Sequence, residues 1–137
     1  MTEVIDFGSS EFVHLGVGGT VVPLPRHTGD MSWYADYGTR HGDDGDDGRL
    51  VSLHTFTEPW DTWEVHPNGE ELVLCLAGSI TLHQEHVDGS TETVTIGAKQ
   101  AVVNPPGTWH TADLPDGATA ATALFITSGR GTDIRPR

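Results

Sequence analysis

Three things are scarce in this chain of 137 residues: cysteine, basic side chains and long apolar runs. Cys75 is the single cysteine, so an intrachain disulfide framework is excluded and a reducing compartment suits the chain. Only 7 Lys and Arg stand against 20 Asp and Glu, a formal net charge of -13. Such a surface repels a polyphosphate backbone or an anionic bilayer, which argues against nucleic acid and membrane as partners. The ~18 consecutive apolar residues of a spanning helix occur nowhere, and MTEVIDFGSS shows no basic segment followed by an apolar one. The expectation is a cytoplasmic protein. Also missing are a helical stripe long enough for an α/β fold, an internal repeat and a nucleophile elbow. Gly16-Val17-Gly18-Gly19 precedes no helix pattern, so it is no phosphate loop.

Turn chemistry, by contrast, is abundant. The 17 Gly and 8 Pro are spread along a length suited to one domain. Short β-type runs lie between turn signals such as Pro67-Asn68-Gly69, Asp88-Gly89, Pro105-Pro106-Gly107 and Pro115-Asp116-Gly117. Strands are expected in two pieces of Glu11–Leu24, then at Arg49–Phe56, Thr62–His66, Glu70–Ala77, Ser79–His86, Thr91–Ile96, Gln100–Asn104 and Ala120–Thr127. Asp88-Gly89 makes a tight hairpin of the segment around it. The pattern predicts an all-β sandwich or barrel, with residues 51–127 carrying the barrel and 1–50 its peripheral strands and loops. Met31–Tyr37 reads as either one helical turn or a lid-like loop, and the tail Gly129–Arg137 as a surface strap or frayed end. The run His41–Gly48, HGDDGDDG, reads as a solvated loop; a calcium loop would need regular Asp spacing and a bidentate Glu at its twelfth position.

Chemistry concentrates in WEVHPNGEELVLCLAG, Trp63 to Gly78. Glu64 and His66 are two apart, so on a strand they share a face. After the Pro-Asn-Gly turn the chain returns antiparallel, with Glu71, Val73 and Cys75 on one face and Leu72, Leu74 and Leu76 on the other. A second segment, NPPGTWHTAD, places His110 at the start of a strand. Imidazoles and carboxylates from separate strands are what a divalent metal site needs.

The first segment resembles the first motif of the cupin superfamily: a His pair two apart, a Glu four or five further on and a Gly seven beyond it. His66, Glu71 and Gly78 match the second His, the Glu and the Gly, while Glu64 stands where the first His would be. Pro105, Gly107 and His110 resemble the core of the second motif. Glu58, Lys99 and Leu114 depart from the motifs at flanking turn and packing positions. The resemblance implies a cupin-type double-stranded β-helix, a jelly-roll barrel, holding one divalent ion (Fe, Mn, Ni or Zn) with His66, Glu71 and His110. For Glu64 two roles stay open. As a fourth ligand it would help neutralise the ion; off the metal it would serve as a base.

Trp60, Trp63 and Trp109 flank these residues and are read, with His54 and Cys75, as substrate-pocket candidates, although ordinary packing explains aromatic side chains and a lone thiol equally well. His83 and His86 are expected in solvent. Scarce cations near the motifs disfavour a multiply charged phosphate substrate. Two functions are expected from these readings: a metal-dependent small-molecule enzyme, dioxygenase-like or a metal-assisted isomerase or lyase, or else a binding or sensing barrel without turnover. A homodimer covering the Leu72, Leu74, Leu76 face is the expected assembly.

Overall fold

Strand and turn chemistry between residues 2 and 137, described by the computed structural model, builds ten strands and one α-helix. In chain order they are β1 (Val13–Leu15), β2 (Val21–Pro23), α1 (Met31–His41), β3 (Arg49–Phe56), β4 (Thr62–Val65), β5 (Glu71–Glu85), β6 (Thr91–Gly97), β7 (Ala101–Asn104), β8 (Trp109–Asp113), β9 (Ala121–Thr127) and β10 (Asp133–Pro136). Every pairing is antiparallel. The order β10-β4-β8-β5-β9-β3-β1-β2, with β6 and β7 added on β5, is an all-β jelly roll. No helix among the described residues is long and apolar enough to cross a membrane.

The expected pair of strands from Glu70 to His86 is a single strand, β5. Its first half pairs with β7 and β9 and its second half with β6 and β8, so it belongs to both faces of the roll. The break in sequence signal at Gly78 marks a bend. Gly78 has φ 74, and a Cβ there would run into the Ala120 carbonyl and the Ala121 backbone; glycine alone fits. A bulge between Cys75 and Ala77 shifts the register beside it. Its consequence is a change of parity: Glu71, Val73 and Cys75 are buried before it, Ile80, Leu82 and Gln84 after it.

The interior is graded along the roll. Val73, Cys75, Ile80, Leu82, Ile96, Ala112, Ala121, Ala123 and Phe125 make an apolar cluster. Burying a side chain such as Leu82, 1% exposed, stabilises by roughly 1.5–3 kcal/mol. Beyond this cluster the inward residues turn polar: Glu71, Gln84, Asn104, His110 and Thr127 are all buried. Cys75 sits in the apolar cluster, its thiol held against the Ala77 and Gly78 carbonyls, and burial pushes its pKa up. Four residues of strand, about 13 Å, separate it from Glu71.

Residues before β3 add a second layer. Phe12, Leu24, Trp33 and Leu50 form their own apolar cluster. Met31–Tyr37, read as a turn or loop, belongs to an eleven-residue helix. Asp30 caps it by accepting from the Trp33 amide, Trp33 and Tyr37 stack on one face, and Arg40 and His41 occupy its last turn. The acidic run is likewise ordered, as two 3₁₀ turns within Gly42–Asp47 broken at Gly45, and its Asp44 binds His14. The tail, rather than fraying, forms β10 against β4. On the outer face of β5, Leu72 and Leu74 are half-buried and Leu76 is 43% exposed.

Candidate metal centre

Register places the polar residues in two facing rows. Glu71 is directly opposite Asn104 on β7 and Thr127 on β9, and both bond its carboxylate. Asn104 donates to Oε1 at 3.1 Å and the Thr127 hydroxyl to Oε2 at 2.6 Å. In the other row His110 is opposite Glu64 on β4 and Gln84 on β5. Gln84 ties the rows together by donating to the Asn104 side-chain oxygen at 2.8 Å. Cross-strand neighbours on one face meet in this way without any loop having to carry them.

His66, just past β4, completes the group. Its Nε2 is 3.1 Å from Glu71 Oε2 and 3.9 Å from Glu64 Oε2. His110 Nε2 is 3.2 Å from Glu71 Oε1 and 4.0 Å from Glu64 Oε2. Despite these close contacts with Glu71, both Nε2 atoms are buried without a hydrogen-bond partner among the described residues. Two orphaned imidazole nitrogens on one side of a barrel interior are costly unless a ligand takes their lone pairs.

The other nitrogen of each ring fixes which tautomer is present. Thr132 gives its hydroxyl proton to the Gly129 carbonyl at 2.7 Å, so its oxygen accepts from His66 Nδ1, 2.7 Å away. His110 Nδ1 donates to the Thr108 carbonyl at 3.1 Å. In the neutral rings both protons therefore sit on Nδ1, and both Nε2 lone pairs face Glu64 and Glu71. Donor atoms of Glu64, His66 and His110 all lie within 4.8 Å of one another. A divalent ion fits the nitrogen and oxygen set of Glu64, His66 and His110, and Glu71 stands beside both imidazoles.

The two carboxylates differ. Burial opposes charge on Glu71, but the imidazoles of His110 and His66 beside it, wherever they carry an Nε2 proton, outweigh burial and hold the carboxyl well below the usual range. Burial and then the neighbouring Glu71 charge raise the Glu64 pKa, only partly offset by His66 and His110. Burial also opposes charge on His110, yet Glu71 and then Glu64 reverse the effect and raise its pKa. Glu71 is pinned by two hydrogen bonds. Glu64, its side chain 35% exposed, accepts none from the described residues.

Of the pocket candidates, Trp60 alone packs on a residue of the site, and His54 lies beyond it among Phe12, His27, Phe56 and Phe125. Trp60 lies edge-on to His110 at 6.4 Å between ring centres and packs on Phe56 and Phe125. His54 packs on Phe56 and Phe125, and burial together with nearby His27 brings its pKa down to about 4. Trp63 and Trp109 are not brought to the site. Each is adjacent to an inward residue, Glu64 or His110, so alternation turns it outward, where both stack on Arg135. Cys75 belongs to the apolar core instead. His83 and His86 are paired rather than solvated, His83 with Asp113 at 2.6 Å and His86 with Glu92 at 2.8 Å. Thr132, Asn104, Gln84 and Thr127 escaped sequence reasoning because their roles depend on register and on the bulge. Only Asn104, next to the Pro-Pro-Gly turn, carried a local signal.

No family model matches the chain, and no curated protein does. Solved structures do. Oxalate decarboxylase from Bacillus subtilis, a protein with Mn(II) centres, aligns with a TM-score of 0.54 at 19% identity, over 72% of this chain and 26% of its own. A cupin superfamily protein from Desulfitobacterium hafniense aligns with a TM-score of 0.47 at 18% identity, over 58% of this chain and 65% of its own. For hydroquinone 1,2-dioxygenase from Sphingomonas the values are 0.48 and 13%, over 58% and 59%. The chain thus spans about a quarter of the decarboxylase and less than two thirds of the other two. What it shares with the decarboxylase is the fold.

Proposed function

From the premise of a cupin fold, we propose that this chain is a metal-dependent enzyme acting on a small molecule, with one divalent ion held by His66, His110, Glu71 and Glu64. The observation that carries this reading is the pair of buried Nε2 atoms, each without a hydrogen-bond partner and each on a ring whose Nδ1 proton is already committed. Bound there, an ion would supply Lewis acidity toward a substrate oxygen or a site for dioxygen. The protein's own groups would do the rest. Glu71, anchored by Asn104 and Thr127, contributes fixed negative charge and cannot turn away. Glu64 would either complete the ligand set or, off the metal and with a pKa raised by burial and by Glu71, take a proton from a substrate and return it. Oxygenase-like chemistry and metal-assisted isomerase or lyase chemistry both fit this donor set; the Mn(II) centres of oxalate decarboxylase are one instance of metal chemistry on the fold. A homodimer through the Leu72, Leu74, Leu76 face is part of the same proposal.

The test is anaerobic purification, metal analysis per chain, and oxygen uptake or turnover with candidate substrates. Near-stoichiometric metal with turnover supports the enzyme; stoichiometric metal without turnover on any substrate that binds favours a binding barrel. Glu64→Gln then separates the two roles of that residue. As a ligand, Glu64 is needed to retain metal through dialysis, since a neutral amide oxygen is the poorer donor. As a base, it leaves metal content unchanged while turnover falls by about 100-fold or more.

A further inference from the structure

The candidate centre spans a sparsely paired seam in the wall of the roll. Strand β8 pairs with β5 along five residues, Trp109 to Asp113, and β4 with β10 along four, Thr62 to Val65. Between β4 and β8 the register holds a single pair, and that pair is Glu64 with His110. Isolated bonds flank it: the Thr111 hydroxyl donates to the Thr62 carbonyl at 2.8 Å, and the Gly107 amide to the His66 carbonyl at 3.1 Å. Glu64 and His66 thus stand on one side of the seam and His110 on the other. The spacing of their donor atoms depends on what closes it.

On the outer face Arg135 bridges this seam. Alternation puts Trp63 and Trp109 outside, each one residue before its metal-facing neighbour, Glu64 or His110. Register supplies the other two members: Arg135 on β10 is opposite Trp63, and Glu85 on β5 is opposite Trp109. The guanidinium carbon lies 5.2 Å from the Trp63 ring centre and 4.5 Å from that of Trp109. One guanidinium nitrogen donates to Glu85 Oε2 at 2.6 Å. A single side chain therefore links β10 to β4, β8 and β5. The ion pair alone holds little, since both partners are more than a third exposed. Its part is to fix the plane that both indoles contact.

Resting on the metal-centre reading, we propose that Arg135 is a positioning residue: it staples β4 to β8 from the outer face and thereby sets the spacing of Glu64 and His66 from His110. It acts through the strands and touches neither ion nor substrate. Two consequences follow from the geometry. The staple needs a planar cation, because a lysine ammonium is a point charge on a flexible stem and cannot lie against two rings while reaching Glu85. Its effect on the metal is also opposite in sign to that of its charge. A cation behind a divalent site repels the ion, so deleting it would by charge alone tighten metal binding, whereas loss of spacing loosens it.

Co(II) is the probe, titrated into the full chain against a competing chelator, its visible absorption reporting coordination geometry. Arg135→Gln and Arg135→Lys should each weaken Co(II) binding about tenfold and alter the absorption, the lysine variant despite its unchanged charge. Asp113→Asn is the control. It weakens the ties of Arg137 and His83 to the same strand, β8, and should leave Co(II) affinity within a few-fold of wild type and the absorption unaltered. Arg135→Lys is the milder change and carries the test if Arg135→Gln fails to fold. Wild-type affinity and absorption in Arg135→Lys, tighter binding in Arg135→Gln, or an equal loss in Asp113→Asn overturns the proposal. Failure of the metal reading looks different: the wild-type chain takes up no Co(II). The His110 ring-nitrogen resonances of the metal-free chain then decide, displaced in Arg135→Lys but not in Asp113→Asn if the staple positions the ring, and unmoved in both if it does not.

Discussion

Around His14 and around His66 the chain assembles the same residue types. His14, His41 and Asp44 bring ligand-type atoms as close together as Glu64, His66 and His110 do. Their nitrogens are spent differently. Burial and then the Asp44 charge push the Tyr37 pKa up to about 12, so its hydroxyl stays protonated and donates to His14 Nδ1 across 2.6 Å. His14 Nε2 then carries the ring's proton and donates to Asp44 at 2.5 Å. Gly48 makes this possible, since a Cβ there would press on the His14 ring and the Asp44 side chain. His41 only stacks on His14, ring centres 4.2 Å apart and planes 25° from parallel, so the in-plane lone pairs of the two rings do not converge. At His66 and His110 the planes are tilted by 41°, and both Nε2 atoms lack a hydrogen-bond partner. Proximity of ligand types is common to both groups. Uncommitted lone pairs distinguish them, and they make the His66 group the stronger candidate for an ion and the His14 group a tie between β1, α1 and the acidic turn.

The largest expected effects break this contrast most directly. His66→Ala and His110→Ala should each abolish metal retention after dialysis, because half of the nitrogen donors goes with either ring. His14→Ala should leave metal content at the wild-type level. Its cost falls on folding: the Tyr37 hydroxyl and the Asp44 carboxylate lose a partner buried to 1% exposure, which destabilises by about 2–4 kcal/mol and lowers Tm by roughly 6–15 °C. Metal analysis and thermal unfolding of the three variants decide it. Metal loss in His14→Ala, or full occupancy in both of the others, would reverse the assignment.

How much of this was legible in the sequence depends on whether a residue's role is local. The two-residue offset of Glu64 and His66, the alternation that separates Glu71 from Leu72, and the turn at Asp88-Gly89 are local, and the structure follows them. The bulge beside Cys75 is not local. It arises from how β5 meets β9, so neither the continuity of β5 nor the inward Gln84 shows in the pattern. In α1 the apolar spacing, Trp33 then Tyr37, covers barely one turn, too short for periodicity, and tertiary stacking supplies the rest. Strand β10 has little apolar content because its register comes from backbone pairing with β4 and from Arg135 lying on Trp63 and Trp109. The same stacking explains why neighbours of metal-facing residues in sequence need not be neighbours in space.

A third, smaller effect sharpens the contrast between committed and uncommitted histidines through pH. His54 is caged by Phe12, His27, Phe56 and Phe125, and its pKa falls from 6.5 to about 4. Above 6.5 the ring is neutral in both folded and unfolded chains, and its contribution to stability is fully present. Between 6.5 and about 4 the unfolded chain takes up a proton that the folded chain refuses, so stability declines as the solution is acidified. The decline from this one group amounts to about 2–3 kcal/mol once partial solvent access is allowed for. His54→Phe keeps an aromatic ring in the cage and removes the titration. Unfolding of the chelated protein by urea across this range should show a flatter slope against pH in the variant, while identical slopes would place the titration elsewhere.

The smallest effect tests whether the anchoring of Nδ1 is what leaves Nε2 available. Among the described residues, the Thr132 hydroxyl accepts from His66 Nδ1 and passes its own proton to the Gly129 carbonyl. Thr132→Val preserves shape and removes that acceptor. The His66 ring is then free to flip or to place its proton on Nε2, and either change withdraws a lone pair from the ion. Because Thr132 is exposed, water can replace part of what the hydroxyl did, which holds the loss to about tenfold in metal affinity, or ~1.4 kcal/mol. The matching anchor of His110 is a backbone carbonyl, beyond the reach of substitution, so Thr132 is the position where the idea can be tested. Competition against a chelator should give weakened affinity in Thr132→Val and near wild-type affinity in Thr132→Ser, with Tm within a few degrees in both. Equal affinity in all three would mean that packing alone orients His66, and the distinction from His14 would then rest on ring geometry rather than on committed protons.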